Sequence, residues 1–365
     1  MHRKIEMPLT VAVTGLHRGD NPQPGAAVIR SLRRALPDIR VIGLSYDPLE
    51  SGLYSHDIDR VDAAYLLPFP MKGPDVLRDR ILHIHENESI QVLVPCLDSE
   101  LSNFMTIYPE LRELGIAAML PTQEALDKRA KENLPAFCED NNVPSPRTFA
   151  ANDADRLKRY ADDIGYPLFV KGKYYEAYLV HSPAGLVSRY DKIARVWGLP
   201  VLVQEALIGD EYDVLGLSED GEIVGHCAIR KMLRTANGKG FSGIVVDDPD
   251  MMQTARQIIK TLRWTGPFEV EFLKAHGKPH SLFEINPRFP AWSDFPSQIG
   301  CNLPLRLVEM LQGTVPAAKL GSCEAGQMFI RHSIDLVGDI FELAKLSIEG
   351  KYLAGPLAPE RRAVP

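Results

Sequence analysis

The chain has 365 residues, of which 45% are hydrophobic, 24% charged and 8% aromatic. That is the composition of a globular protein of roughly two or three domains, long enough to bury a core without disulfides or a structural metal. Forty-one basic against 48 acidic residues leave a net charge of −7, with no basic block suited to nucleic acid and no apolar run approaching the ~18 residues of a membrane span. The apolar stretch 10–16 is followed at once by His17-Arg18-Gly19-Asp20 and is too short for a signal-peptide core. Cys96, Cys138, Cys227, Cys301 and Cys323 form no Cys-x-x-Cys pair. Both features lead to the expectation of reduced thiols in a cytoplasmic protein.

Over the first 120 residues, strand-like and helix-like segments alternate. Strands are expected over 9–14, 41–44, 63–67, 92–95 and 117–120, and helices over 26–36, 75–87, 99–108 and 109–114. Such alternation implies a parallel sheet whose ligands sit at the carboxyl ends of its strands. A dinucleotide fold would place G-x-G-x-x-G after the first strand, but the chain reads Gly15-Leu16-His17-Arg18-Gly19-Asp20-Asn21-Pro22-Gln23-Pro24-Gly25. A Rossmann oxidoreductase therefore lacks its fingerprint. The loop could still bind an anion through its N–H groups, or simply turn the chain.

A second region begins near Pro121. Helices are expected over 134–142, 154–164, 191–197, 249–262 and 303–311, with strands over 168–171 and 201–205. Segments 212–217 and 223–230 read as a hairpin joined by Ser218-Glu219-Asp220-Gly221, and 267–274 with 280–285 as a second strand pair. After Gly321 come a strand over 327–331 and a helix over 341–346. Many of the 28 prolines and 27 glycines end these elements, Pro68, Pro95, Pro144 and Pro167 among them.

Chemistry concentrates in Phe268-Glu269-Val270-Glu271-Phe272 and Phe283-Glu284-Ile285-Asn286-Pro287-Arg288. Antiparallel pairing would set Glu271 opposite Glu284, and strand alternation puts Glu284 and Asn286 on one face. Oxygen donors so arranged suit Mg²⁺, and Arg288 continues the face toward a phosphoryl oxygen. Lys171 ends a strand and could reach phosphates. Gln204-Glu205-Ala206-Leu207 ends another, where backbone groups could pair with an adenine edge. Glu211 could accept from ribose hydroxyls, and Arg230-Lys231 offers a second positive charge. His83, His85, His276, His280 and His332 lack metal-ligand spacing and read as structural or surface residues.

Taken in this order, strand-lysine, Gln-Glu-x-x-x-Gly-x-Glu-Tyr, then Glu…Glu-x-Asn-Pro-Arg, the chain resembles the ATP-grasp superfamily, and within it the carbamoyl-phosphate-synthetase large chain and related carboxylate–amine ligases. The resemblance covers nearly the whole chain; Asp98-Ser99-Glu100-Leu101, Asp127-Lys128 and Ile299-Gly300-Cys301-Asn302-Leu303-Pro304 belong to it. It implies an α/β fold: an N-terminal parallel-sheet, Rossmann-like pre-ATP-grasp domain (1–120) before a two-lobed α+β ATP-grasp domain. The latter would comprise a small lobe with linker helices (121–205) and a large lobe with the metal site (206–320), with a strand–helix tail (321–365) packed on it.

The resemblance further implies ATP with Mg²⁺ (Mn²⁺ as an alternative ion) held by Glu271, Glu284 and Asn286. Lys128 and Lys171 would contact the phosphates and the adenine side, Glu205 and Leu207 would flank adenine with Gln204 and Ala206 beside them, and Glu211 would take the ribose. Arg288 would stabilise the transferred phosphoryl group, with Lys231 as a second catalytic cation. The implied reaction joins a carboxylate, an amino acid or small peptide, to an amine through an acyl phosphate with release of ADP. Its partners would be small molecules, neither nucleic acid nor membrane, and a homodimer is compatible with it.

One segment departs from the family pattern. Where a glycine-rich loop often covers the phosphates, the chain reads Gly172-Lys173-Tyr174-Tyr175-Glu176-Ala177-Tyr178. Either Lys173 contacts phosphate through its side chain, or the tyrosines shape the acceptor pocket. This argues against a biotin carboxylase. Thr235-Ala236-Asn237-Gly238-Lys239-Gly240 is a second loop that could close over substrate, or an ordinary turn. A carboxylate kinase, a thiol ligase and a non-catalytic nucleotide-binding protein are the alternative functions.

Overall fold

The computed structural model describes residues 8–19, 22–173, 176–235, 240–314, 320, 323–333 and 335–353. The N-terminal region runs β1 (Thr10–Thr14), α1 (Gly25–Ala35), β2 (Arg40–Ser45), β3 (Ala63–Leu66), α2 (Pro74–Glu88), β4 (Val92–Val94) and α3 (Asp98–Glu113). Its four strands are parallel, in the spatial order β3-β2-β1-β4. Val11 and Val13 of β1 pack with Val28, Ile29 and Leu32 of α1, whereas Ala12 faces Ile81 of α2 and Phe104 of α3. Helices thus cover both faces, which is why β1 is a continuous buried run rather than an alternating one.

One expectation fails here, and another is sharpened. Segment 117–120 contributes only one parallel bridge, Val92 to Ala117. Segments 99–108 and 109–114 are one helix that carries Pro109 inside it. Proline removes one amide donor, and Leu101, Phe104, Ile107 and Leu111 keep the helix seated on the sheet across that gap.

Helices α4 (Gln123–Arg129) and α5 (Leu134–Asp140) lead to a four-stranded antiparallel sheet of β5 (Thr148–Ala151), β6 (Leu168–Lys171), β7 (Ala177–Val180) and β8 (Val201–Glu205). Its order is β5-β8-β6-β7. Leu157 and Ala161 of α6 (Ala154–Ile164) and Tyr190 and Ile193 of α7 (Leu186–Trp197) close its core.

The third sheet contains β9 (Asp210–Glu219), β10 (Glu222–Arg234) and β11 (Gly240–Val245), then, beyond α8 (Pro249–Thr261), β12 (Gly266–Lys274) and β13 (Ser281–Asn286). After α9 (Asp294–Gln298) and α10 (Leu303–Leu311), β14 (Met328–Ile330) completes it in the order β13-β12-β9-β10-β11-β14. Phe268, Val270 and Phe272 of β12 pack with Met251, Ala255 and Ile258 of α8 on one face. The tail divides between two sheets. β14 pairs with β11, whereas α11 (Ile340–Glu349) leads to β15 (Lys351–Leu353), which pairs antiparallel with β3 of the N-terminal sheet.

Candidate active site

Alternation along β12 sends Phe268, Val270 and Phe272 into the core under α8, so Glu269 and Glu271 stand on the opposite face. The register builds that face into a grid. Asp213 of β9, Glu271 of β12 and Glu284 of β13 lie in one cross-strand row, and Leu215, Glu269 and Asn286 in the next. Carboxylate oxygens of Asp213, Glu269 and Glu271 come within 4.8 Å of one another. Both oxygens of Asp213 are buried, and neither accepts a well-aligned hydrogen bond.

Lys231 on β10 reaches into this group, with Nζ 2.6 Å from Glu271 Oε2, 3.1 Å from Asp213 Oδ1 and 3.4 Å from Glu211 Oε2. Burial would lower its pKa, but the fields of Asp213, Glu271, Glu269 and Glu211 outweigh burial and raise it. Burial, reinforced by Glu271 and Glu269 against the pull of Lys231, pushes Asp213 well up. Burial, with Glu271 next, moves Glu269 up to about 6. Asn286 Nδ2 donates to Glu269 Oε2 at 2.9 Å and to Glu271 Oε1 at 2.7 Å, and Trp292 Nε1 donates to Glu269 Oε1 at 2.8 Å. Asp213, Glu269 and Lys231 thus hold their protons tightly, as surplus negative charge with little solvent should make them.

Arginines frame the face. Arg288 Nε donates to Asp98 Oδ1 at 2.8 Å, one NH group donates to Asn286 Oδ1 at 3.3 Å, and the other stands 3.8 Å from Glu269. Arg129 holds the second oxygen of Asp98 at 3.0 Å. Burial would raise the Asp98 pKa, but Arg288 and Arg129 hold it below the usual carboxylate value. Asp98 opens α3 at the carboxyl end of β4, so the N-terminal sheet aims its ligand edge at Arg288. Arg331 follows β14 and makes no salt bridge among the described residues; its guanidinium carbon is 5.9 Å from the centre of the Phe329 ring. Burial lowers its pKa to about 10, opposed by Glu269 and aided by Arg30.

Between the four-stranded and six-stranded sheets lies a cleft lined by Lys131, Thr148, Lys171, Gln204, Phe283 and Glu284 among others. Lys171 Nζ donates to Gln204 Oε1 at 2.5 Å and lies 5.1 Å from the centre of the Phe283 ring. Burial depresses its pKa to about 8, against the pull of Glu284. Gln204 in turn donates to Thr148 Oγ1 at 2.9 Å. Lys131 Nζ stands 3.2 Å from Glu284, which holds its pKa up against burial.

Several expected residues therefore meet: Glu271, Asn286, Arg288 and Lys231 on the acidic face, and Lys171, Gln204 and Glu284 in the cleft. Glu205 ends β8, and Ala206 and Leu207 begin the connection to β9, where the Leu207 amide already donates to the Glu205 carbonyl at 3.2 Å. Lys128 does not join them. It is exposed and pairs with Glu124 at 2.7 Å one helical turn away, because the phase of α4 turns Arg129 inward instead. Glu211, expected on a ribose, is engaged by Lys231 and Arg234 on the acidic face. Lys173 pairs with Glu132 at 2.6 Å. Tyr174, Tyr175 and 236–239 of the second loop lie outside the described residues. His280 is buried edge-on against Tyr212 and Phe272.

The sequence reading missed Asp213, Glu269, Lys131, Arg129, Trp292 and Arg331. Glu269 and Asp213 had a usable signal, since each lies two residues from a carboxylate already singled out on the same strand.

Comparison with known proteins points the same way. Residues 199–328, which run from β8 to the first residue of β14, match a family described as "ATP-grasp in the biosynthetic pathway with Ter operon". A mitochondrial arginine-specific carbamoyl phosphate synthase large chain from Neurospora crassa is 23% identical over 252 residues, 65% of this chain but 20% of its own length. The chain thus spans only a small part of that relative. Among solved structures, a Campylobacter jejuni biotin carboxylase in complex with βγ-ATP superposes with a TM-score of 0.65 at 15% identity, covering 85% of this chain and 72% of the other. An L-amino acid ligase from Bacillus licheniformis gives a TM-score of 0.61 at 12% identity, covering 84% and 75%. The family match and the shared fold meet on the strands that build the acidic face: residues 199–328 match an ATP-grasp family, and the chain as a whole is similar in fold to the solved structures above.

Proposed function

We propose that this protein is an ATP-dependent, ADP-forming ligase that activates a carboxylate, an amino acid or small peptide, as an acyl phosphate and joins it to an amine. The observation that carries the reading is the buried acidic face of Asp213, Glu269 and Glu271 with Arg288 fixed at its edge. The likeness to carboxylate-activating relatives, an amino acid ligase among them, supports it. Hard oxygen donors, with the poorly satisfied Asp213, fit a divalent cation such as Mg²⁺. Asp213, Glu269 and Glu271 would hold it, with Glu284 and Asn286 alongside, and it would neutralise phosphate charge.

The cleft fits the nucleotide. Lys171 and Lys131 would meet its phosphates, and the end of β8 with the start of the connection to β9, Glu205 to Leu207, would pass its base. Arg288 is held by Asp98 and Asn286 in one orientation, so its donors are pre-set for charge that develops on the transferring phosphoryl group. Arg331, a cation without a salt bridge among the described residues, would take the substrate carboxylate. A carboxylate oxygen attacks the γ-phosphorus and the bond to ADP breaks. The amine nitrogen then attacks the acyl carbon, the acyl C–O bond breaks, phosphate leaves and the amine gives up a proton.

The test is incubation with ATP, Mg²⁺ and a panel of amino acids carrying ¹⁸O in the carboxylate. The expected products are ADP and inorganic phosphate with one labelled oxygen, formed only when both substrates are present. AMP, or unlabelled phosphate, would sink the acyl-phosphate reading.

A further inference from the structure

The ammonium of Lys231 stands against two of the carboxylates that could hold a metal ion, Asp213 and Glu271. Its side chain is 4% exposed, and Nζ lies within 3.4 Å of Glu271, Asp213 and Glu211 together. The other charges near this group are Glu269, with Arg288 at 3.8 Å from it, and Arg234, paired with Glu211 on the outer side. Lys231 is therefore the cation placed beside Asp213 and Glu271 of the trio Asp213, Glu269 and Glu271, and beside Glu211, whereas Arg288 is committed to Asp98. Asp213 depends on it most, since its two buried oxygens have no aligned hydrogen bond and Lys231 is the cation in reach. A divalent ion taking these carboxylates would compete with the ammonium for the same oxygens, which it would draw in closer than the ammonium does.

We propose that Lys231 is a built-in counter-cation that keeps the carboxylate trio closed to divalent metal until nucleotide arrives. The phosphates of ATP would then offer the ammonium a second set of oxygens, so that metal enters with nucleotide rather than before it. Lys231 is on this view a positioning residue. The proposal rests on the functional reading only in taking the trio as the metal site, and its test involves no turnover, so either can fail without the other.

The experiment is Mn²⁺ binding to nucleotide-free protein, by electron paramagnetic resonance and calorimetry, for wild type, Lys231→Met and Lys231→Arg. Wild type and Lys231→Arg should bind weakly. Lys231→Met, which leaves the acidic charge without its cation, should bind roughly 10-fold tighter or more. A Lys231→Met chain that folds only with Mn²⁺ present would support the proposal equally. It is overturned if wild type already binds as tightly as Lys231→Met, if Lys231→Arg binds as tightly as Lys231→Met, if Lys231→Met gains nothing, or if Lys231→Met folds neither with nor without the ion that should replace the lost charge.

Discussion

Two buried lysines face the same interior and behave in opposite ways. Lys171 in the cleft has a neutral partner, Gln204, and aromatic rings beside it, so burial prevails and its pKa drops to about 8. Lys231 on the acidic face is also buried, yet Asp213, Glu271, Glu269 and Glu211 together overrule burial and raise it. The sign of a buried lysine's shift is thus decided by whether carboxylates or amides surround it. The first arrangement gives a cation that can still be modulated near neutral pH. The second gives a permanent charge.

The most severe way to break this contrast is Glu271→Gln, which removes a carboxylate from both Lys231 and the trio. Turnover should fall roughly 10²–10³-fold, the size of effect seen when one fixed electrostatic partner of a transition state is lost. Circular dichroism should show the fold retained, and wild-type turnover in the variant would remove the acidic face from the chemistry.

A smaller effect sharpens the cleft side. Lys171 is charged below its depressed pKa and neutral above it, so nucleotide affinity of the wild type should fall as pH rises through about 8. The loss should approach about 10-fold, the weight of one charge-assisted hydrogen bond. Lys171→Arg should flatten the profile, and a flat wild-type profile in equilibrium titration would place Lys171 away from the phosphates. The smallest effect belongs to Lys128→Ala. Its exposed pair with Glu124 should leave nucleotide affinity within about 2-fold, as exposed ion pairs contribute little. A large loss would return Lys128 to the site.

Much of this arrangement can be read from sequence because it rests on local periodicity. The alternation of Glu269 and Glu271 with Phe268, Val270 and Phe272, and the pairing of Glu271 with Glu284 across a short turn, need only a hairpin. Asp213 is harder. Its place beside Glu271 depends on β9 lying next to β12, strands brought together across β10, β11 and α8 by a shared core rather than by a turn. The choice between Lys128, Arg129 and Lys131 depends on the phase of a seven-residue helix, α4, and its exit, too short to carry a clear apolar stripe. The strands β5, β7 and β15 are three or four residues long, and each exists because a neighbouring strand offers it an edge. Arg331 is legible only once β14 is known to pair with β11.

The divided tail has one more consequence. β14 pairs with β11 as the edge of the six-stranded sheet and β15 pairs with β3 at the edge of the parallel sheet, so one tail covers strand backbone in both units. Neither unit can shed its cover without slackening the chain that covers the other. The tail is a seam, and because Arg331 follows β14 within it, the backbone that leaves the far sheet runs directly to that arginine.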